Sequence, residues 1–251
     1  MTEWVWEPDD FAALWYSEGI DRFPRPLHLL SKFRTLEEYE ANRTRVRATL
    51  GQDELIRLAL HTLTFGQFRV EIKGASTATD QGALRQYRIV GAQHHQHAVV
   101  LAQATVDEVD GPIHARLFPA DQLPQRLSAR IPTCKPGGHP VLAVPAAELQ
   151  APPGPQSYAK RTPREQFEAL ARRPIDGSGH ASLFVGHILD RPAPWYTTQW
   201  IDVTADGRYL VVRTPERVTV RPATTPDLTA GFTGWIDRTH RRLREAEPAE
   251  W

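Results

Sequence analysis

The chain has 251 residues, 41% of them apolar, and its 30 basic and 30 acidic side chains give a formal net charge of zero. That length and apolar content can bury a substantial core, and the even scatter of charge excludes the basic footprint of a nucleic-acid or anionic-membrane binder. A single cysteine, Cys134, excludes an internal disulfide and suits a reducing compartment.

The N-terminus shows no basic segment followed by an apolar one, and no apolar run approaches 18 residues, so a cytoplasmic protein is expected. Glu7, Asp9 and Asp10 around Pro8 precede Phe11, Leu14 and Trp15 at helical spacing, which predicts a first helix ending at Gly19. The proline-bearing link IDRFPRPLHLL then runs extended, anchored by Phe23 and Leu27. Thr35 and Glu38 form a capping box for a second helix with Leu36, Tyr39, Val46 and Leu50 on one face, stopped by Gly51. Leu55, Ile56, Ala59, Leu60 and Leu63 mark a third helix, so the first 65 residues read as a helical layer.

The period then changes to two. Phe68, Val70 and Ile72 alternate with Gln67, Arg69, Glu71 and Lys73, a strand with one face on a core and one in water. A loop at 74–83, the strand LRQYRIVGA, the turn HHQH, AVVLAQA and PIHARLF complete four strands whose short links require antiparallel pairing. A short helical stretch follows at PADQLPQRL, then loop-rich sequence that includes VLAVPAAEL, then a linker at APPGPQSYAKR. Thr162, Pro163 and Glu165 cap a further helix with Phe167 and Leu170 inward. HASLFVGHIL, TTQWIDVT, GRYLVVRT and RVTVRP form a second meander, and Thr225 and Pro226 open a last helix carrying Leu228, Phe232, Trp235, Ile236 and Leu243. The class is α+β with antiparallel strands. Because the order helix, sheet, helix occurs twice, one domain with two pseudo-repeated halves, about 1–155 and 156–251, is expected.

Chemistry-bearing patterns are sparse. His94, His95 and His97 could ligate a metal, with His95 and His97 sharing a strand face, and a metal-dependent hydrolase is the alternative functional reading; standard zinc spacings are not met, and a polar turn is the simpler reading. His180 and His187 read as partly exposed strand residues on opposite faces. Ser178 in DGSGH lacks the nucleophile-elbow pattern and reads as loop. No dinucleotide or phosphate-loop motif occurs, so no cofactor is expected. Asp202, Asp206, Glu216 and Asp227 sit among turns and a helix start, where carboxylates accept from backbone donors. Trp15, Trp200 and Trp235 read as core, and the terminal Trp4, Trp6 and Trp251 as tucked ends or partner anchors.

LWYSEGIDRFPRPL, GPIHARLFPADQLPQRLSARIPTCKPGGHPVLAVPAAEL and, above all, the D-x-x-x-D-G-R-Y-L run from Asp202 to Leu210 resemble the EspG family of type VII secretion chaperones. The resemblance implies a central antiparallel sheet flanked by two helical bundles in quasi-twofold arrangement, no catalysis, and binding to the helical tip of secretion substrates, chiefly PE–PPE heterodimers. It further implies that a loop between early strands, the sheet face and the C-terminal helices hold the partner. The corresponding residues are Ser76, Thr77, Asp80, Gln81, Arg85 and Arg88. Asp206 and Gly207 are read as turn chemistry.

Overall fold

A computed structural model describes residues 2–78, 82–151 and 161–246. The chain opens with a strand, β1 (Thr2–Trp6), ahead of the expected helix α1 (Pro8–Trp15). Five residues ending just before Pro8 are too few to show a period, yet β1 is fixed by an aromatic series. Trp4, Trp6, Phe11 and Trp15 stack in succession with centroids 5.6, 5.8 and 5.9 Å apart, and Phe23 packs edge-on against Phe11 at 5.3 Å. Trp6 is thereby core and Trp4 half-buried; Trp251 lies outside the described residues.

Helix α2 (Leu36–Leu50) carries the expected capping box between Thr35 and Glu38. Its apolar face is thinner than the spacing suggests, since Leu36 is 75% exposed and Val46 is the buried residue. Polar links tie it to α1 instead: Arg47 donates through Nε to the Ala13 carbonyl at 2.9 Å and to the Tyr16 carbonyl, while Asn42 and Arg45 both donate to Asp10. Helix α3 (Glu54–Thr64), capped by the Asp53 side chain, lays Ile56, Ala59 and Leu63 on the sheet.

Two meanders follow, β2 (Phe68–Ser76), β3 (Arg85–His94), β4 (His97–Val106) and β5 (Val109–Pro119), then β7 (Ile175–Val185), β8 (Tyr196–Val203), β9 (Gly207–Arg213) and β10 (Arg217–Pro222). Between them lie a 3-10 turn (Ala120–Gln122), α4 (Leu123–Ser128), β6 (Leu142–Pro145), α5 (Ala146–Gln150) and α6 (Pro163–Ala171); α7 (Thr225–Ala246) closes the chain. Strand β6, expected as loop, is four residues flanked by Pro140 and ending at Pro145, and its register with β10 (Val218↔Val144, Val220↔Leu142) places Leu142 and Val144 in a core. The linker expected at 151–161 falls almost wholly outside the described residues.

Among the described residues the strands form one sheet in the order β1-β5-β4-β3-β2-β7-β8-β9-β10-β6, every pair antiparallel. The junction is β2, paired along all nine residues with β3 on one side and β7 on the other. Outward from that junction each half runs through four meander strands to an edge strand that precedes them in the chain, β1 or β6, and each half ends in a helix, α4 or α7.

The sheet is covered on both faces. On one, α4 and α7 pack on Phe68, Val70, Ile72, Ile89, Val100, Leu183 and Trp200. On the other, α1 and α3 cover Val90, Ala92, Val99, Leu101 and Ala115, and α6 covers Val203, Tyr209, Val218 and Val220 through Leu170 and Phe167. The expectation that Arg69 lies in water is therefore corrected. It is buried, donating to Glu71 at 2.8 Å and to the carbonyls of His187 and Asp190 at 3.1 and 2.8 Å, because the turn after β7 folds back over it.

Candidate functional site

The helices leave the middle of the second face open. There the register places Lys73, His180, Gln199 and Val211 in one row across β2, β7, β8 and β9, with Ala75, Ser178 and Ile201 in the next. These rows floor a groove of about 620 Å³, walled by α6 through Phe167 and Leu170 and rimmed by Leu84 and Ile175. Leu84 is 55% and Ile175 49% exposed, large apolar side chains left in water at the groove mouth. Lys73, Gln86, His180, Gln199 and Arg213 supply its polar groups. Partial desolvation and then the neighbouring Lys73 ammonium hold the His180 imidazole below its ordinary range. Ser178, expected in a loop, is a strand residue paired with both Ala75 and Ile201. His180 is exposed on the groove floor, whereas His187 lies beyond the end of β7, its N–H bonded to Asp190.

Of the residues expected to hold a partner, the four that are described do not share one surface. Ser76 is buried and accepts from the Ala78 N–H, and Thr77 gives both its N–H and its hydroxyl to the Asp176 carbonyl, so both fix the base of the loop. Asp80 and Gln81 lie outside the described residues. Arg85 and Arg88, three apart on β3, point to opposite faces. Arg88 shares the groove's face but is engaged by Asp110 at 3.0 Å and by Thr105. The loop is also shorter than 74–83, because β2 runs on to Ser76.

The histidine cluster is a turn. His94 and His97 are cross-strand partners flanking a two-residue turn, and His95 sits in that turn with φ +50°, so His95 and His97 do not share a strand face as expected. Rings of His94 and His95 lie 4.3 Å apart and His61 meets His94 at 5.0 Å. Among the described residues no group of three His, Cys, Asp or Glu is placed to hold a metal ion.

The D-x-x-x-D-G-R-Y-L run is structural, and more deeply so than turn chemistry. Asp202 is a buried strand residue taking Arg208 Nε and Nη2 on its two oxygens, both at 2.7 Å, and Nη2 also reaches the Pro132 carbonyl at 2.9 Å. Desolvation opposes the Arg208 charge, but the Asp202 carboxylate outweighs it and keeps the guanidinium protonated. Cys134 lies nearby, its thiol pushed up by burial and by Asp202, which makes it a poor nucleophile. Asp206 accepts from the Gly138 N–H at 2.7 Å, from the Tyr209 hydroxyl at 2.9 Å and from Arg173. Gly207 has φ +150°, and a Cβ there would stand 2.5 Å from the Lys135 carbonyl oxygen, which accepts the Arg208 N–H at 2.7 Å. At Gly137 a Cβ would fall 2.0 Å from the Tyr209 ring. The motif and the PTCKPGGHP coil are thus two halves of one staple that seats 132–139 against β9. Beside it, Trp200 donates to the Tyr87 hydroxyl at 3.2 Å, and burial pushes that phenol up to about 12.

Sequence reasoning missed the groove itself. Lys73, Gln86, Gln199 and Arg213 look like ordinary outward strand positions, and only the lateral order of the strands brings them together around Ile201 and Val211.

A search of curated proteins found no match. Among solved structures the fold is similar to that of the Mycobacterium tuberculosis type VII secretion system chaperone EspG5, solved in complex with the PE25–PPE41 dimer. The TM-score is 0.54 at 14% identity, over 100% of this chain and 99% of that one. That likeness concerns the fold, an antiparallel sheet with helices on both faces. A model of the EspG family matches residues 7–232, which take in every described strand but β1, the groove and the staple. With that match over most of its length, the chain belongs to the EspG family.

Proposed function

We propose that this protein is a cytosolic chaperone that binds the helical tip of type VII secretion substrates, PE–PPE-like heterodimers or related helical hairpins, and keeps them soluble for export without chemical turnover. Membership of the EspG family supports this reading, as does the EspG5 structure that holds a PE25–PPE41 dimer. The observation that carries it is the open groove on an otherwise covered sheet, with Leu84 and Ile175 exposed at its mouth. Fully burying one large apolar side chain contributes about 1.5–3 kcal/mol, so a partner inserting two or three gains about 3–9 kcal/mol, a large share of the roughly 8 kcal/mol of a micromolar complex. Two further features fit a binding platform. No described helix is long and apolar enough to cross a membrane, and the family motif serves to rigidify the strand β9 that borders the groove. The two pseudo-repeated halves act as a single domain through the β2–β7 junction.

The test is co-expression of the tagged chain with the helical-hairpin pair encoded beside it, read as a stoichiometric complex by size exclusion. In a Leu84→Asp, Ile175→Asp variant, capture falls at least about 10-fold while the unfolding midpoint is unchanged, because both side chains already face water. No complex with the native chain, or equal capture by the variant, overturns the proposal.

A further inference from the structure

The groove carries an unbalanced charge. Among the described residues lining it are Lys73, His180 and Arg213 and no carboxylate, in a chain whose acids and bases are equal in number. The imbalance has a local cause. Along β2 the Glu71 carboxylate is consumed by buried Arg69, and on β3 Arg88 is neutralised by Asp110, which leaves Lys73 without a described acidic partner. Arg213 stands across the ladder from Val218 and likewise has no described acidic partner. Lys73 and Arg213 are three strands apart and two residues out of step, about 16 Å between backbones at ordinary sheet spacings. An α-helix with its side chains is about 10–12 Å across. One helix therefore spans the distance between the two cations, above His180 and Gln199, with Val211 beside Arg213 on β9 and Ile201 one row away on β8.

We infer that the groove selects an acidic amphipathic helix end, one that turns apolar side chains to Phe167, Ile201 and Val211 and carries Asp or Glu within reach of Lys73 and Arg213, the residues that set the sign of the partner. This rests on the chaperone reading and names the kind of helix that reading requires. A basic helix end would bury both cations against like charge, so the pair discriminates by rejection as well as by attraction.

The probes are two designed helical hairpins with identical leucine and phenylalanine tips, flanked by Glu in one and by Lys in the other, titrated into the full chain by fluorescence anisotropy at low ionic strength. The Glu hairpin binds about 10-fold more tightly, and the preference shrinks with added salt. In Lys73→Glu, Arg213→Glu the preference reverses. In Lys73→Gln, Arg213→Gln it disappears, which serves should the double reversal fail to fold. Equal affinity for both hairpins, a native preference for Lys, binding of neither, or a preference that survives the neutral variant overturns the inference. Failure of the chaperone reading is scored separately: a native chain that captures no neighbour-encoded pair refutes that reading, whereas capture together with a charge-blind groove refutes only the sign.

Discussion

Replacing Asp202 by Asn removes the carboxylate from the most deeply buried ion pair among the described residues and leaves the guanidinium in place. The Arg208 side chain has no exposed surface, and two of its three described side-chain hydrogen bonds end on Asp202; Nη1 has no described partner, so the remaining anchor of the guanidinium is the Pro132 carbonyl. Breaking a buried pair by losing one member costs about 3–5 kcal/mol, because the surviving charge stays desolvated. For a chain of this size that corresponds to a fall in Tm of about 6–20 °C. Urea unfolding followed by tryptophan emission reads the change directly, since the Arg208 guanidinium lies 6.0 Å from the Trp200 ring. Asp202→Leu, Arg208→Met, which removes both charges, should lie within about 2 kcal/mol of the native protein. A second signal comes from Cys134, whose thiol Asp202 helps to push up: in Asp202→Asn it should react faster with a disulfide reagent. A single variant that loses less than about 1 kcal/mol, or a double variant as unstable as the single, would refute the assignment of this pair as the centre of the staple.

Gly207→Ala should cost at least about 2 kcal/mol, from the positive φ and the close Lys135 carbonyl together; a melting curve superimposable on the native one would show that the coil at 132–139 can move away freely. Stability should also fall with acid in two stages. Burial lowers His94, His114, His180 and His240, reinforced by neighbouring imidazoles at His94, Arg130 at His114, Lys73 at His180 and Arg244 at His240. Groups with a depressed folded pKa stabilise above the unfolded value, here 6.5, and that contribution is lost as pH falls through the folded values. The second stage begins below the ordinary Asp value of 3.8, where Asp206 is held down by the Gly138 N–H, Asp227 by Thr224, and Asp110, against its burial, by Thr105, His28 and Arg88. Denaturant midpoints measured from neutral to acid pH check both stages, and Asp206→Asn should make the second shallower while leaving the first unchanged; a midpoint constant from pH 7 to 5 would contradict the first.

What the sequence determined by itself is local. Capping boxes at Thr35 and Thr162, the alternation in Phe68–Ile72, and the short links between strands specify helices, strands and antiparallel pairing, because each is enforced by hydrogen bonds and side-chain periods within a few residues. The D-x-x-x-D-G-R-Y-L run was legible as a family mark, and its role was not, since half of the staple comes from residues some 70 positions earlier. Tertiary structure alone decided the rest. It made β1 and β6 strands, because four or five residues acquire that conformation only from the partner they pair with. It took Arg69 out of water by folding the turn after β7 over it, while leaving Lys73, four residues on, exposed. The groove exists because β2 pairs with β7, some 100 residues away, and because α3 and α6 stop short of that junction. An outward side chain in a strand looks the same in sequence whether helix, loop or solvent lies above it, and only the order of strands across the sheet settles which.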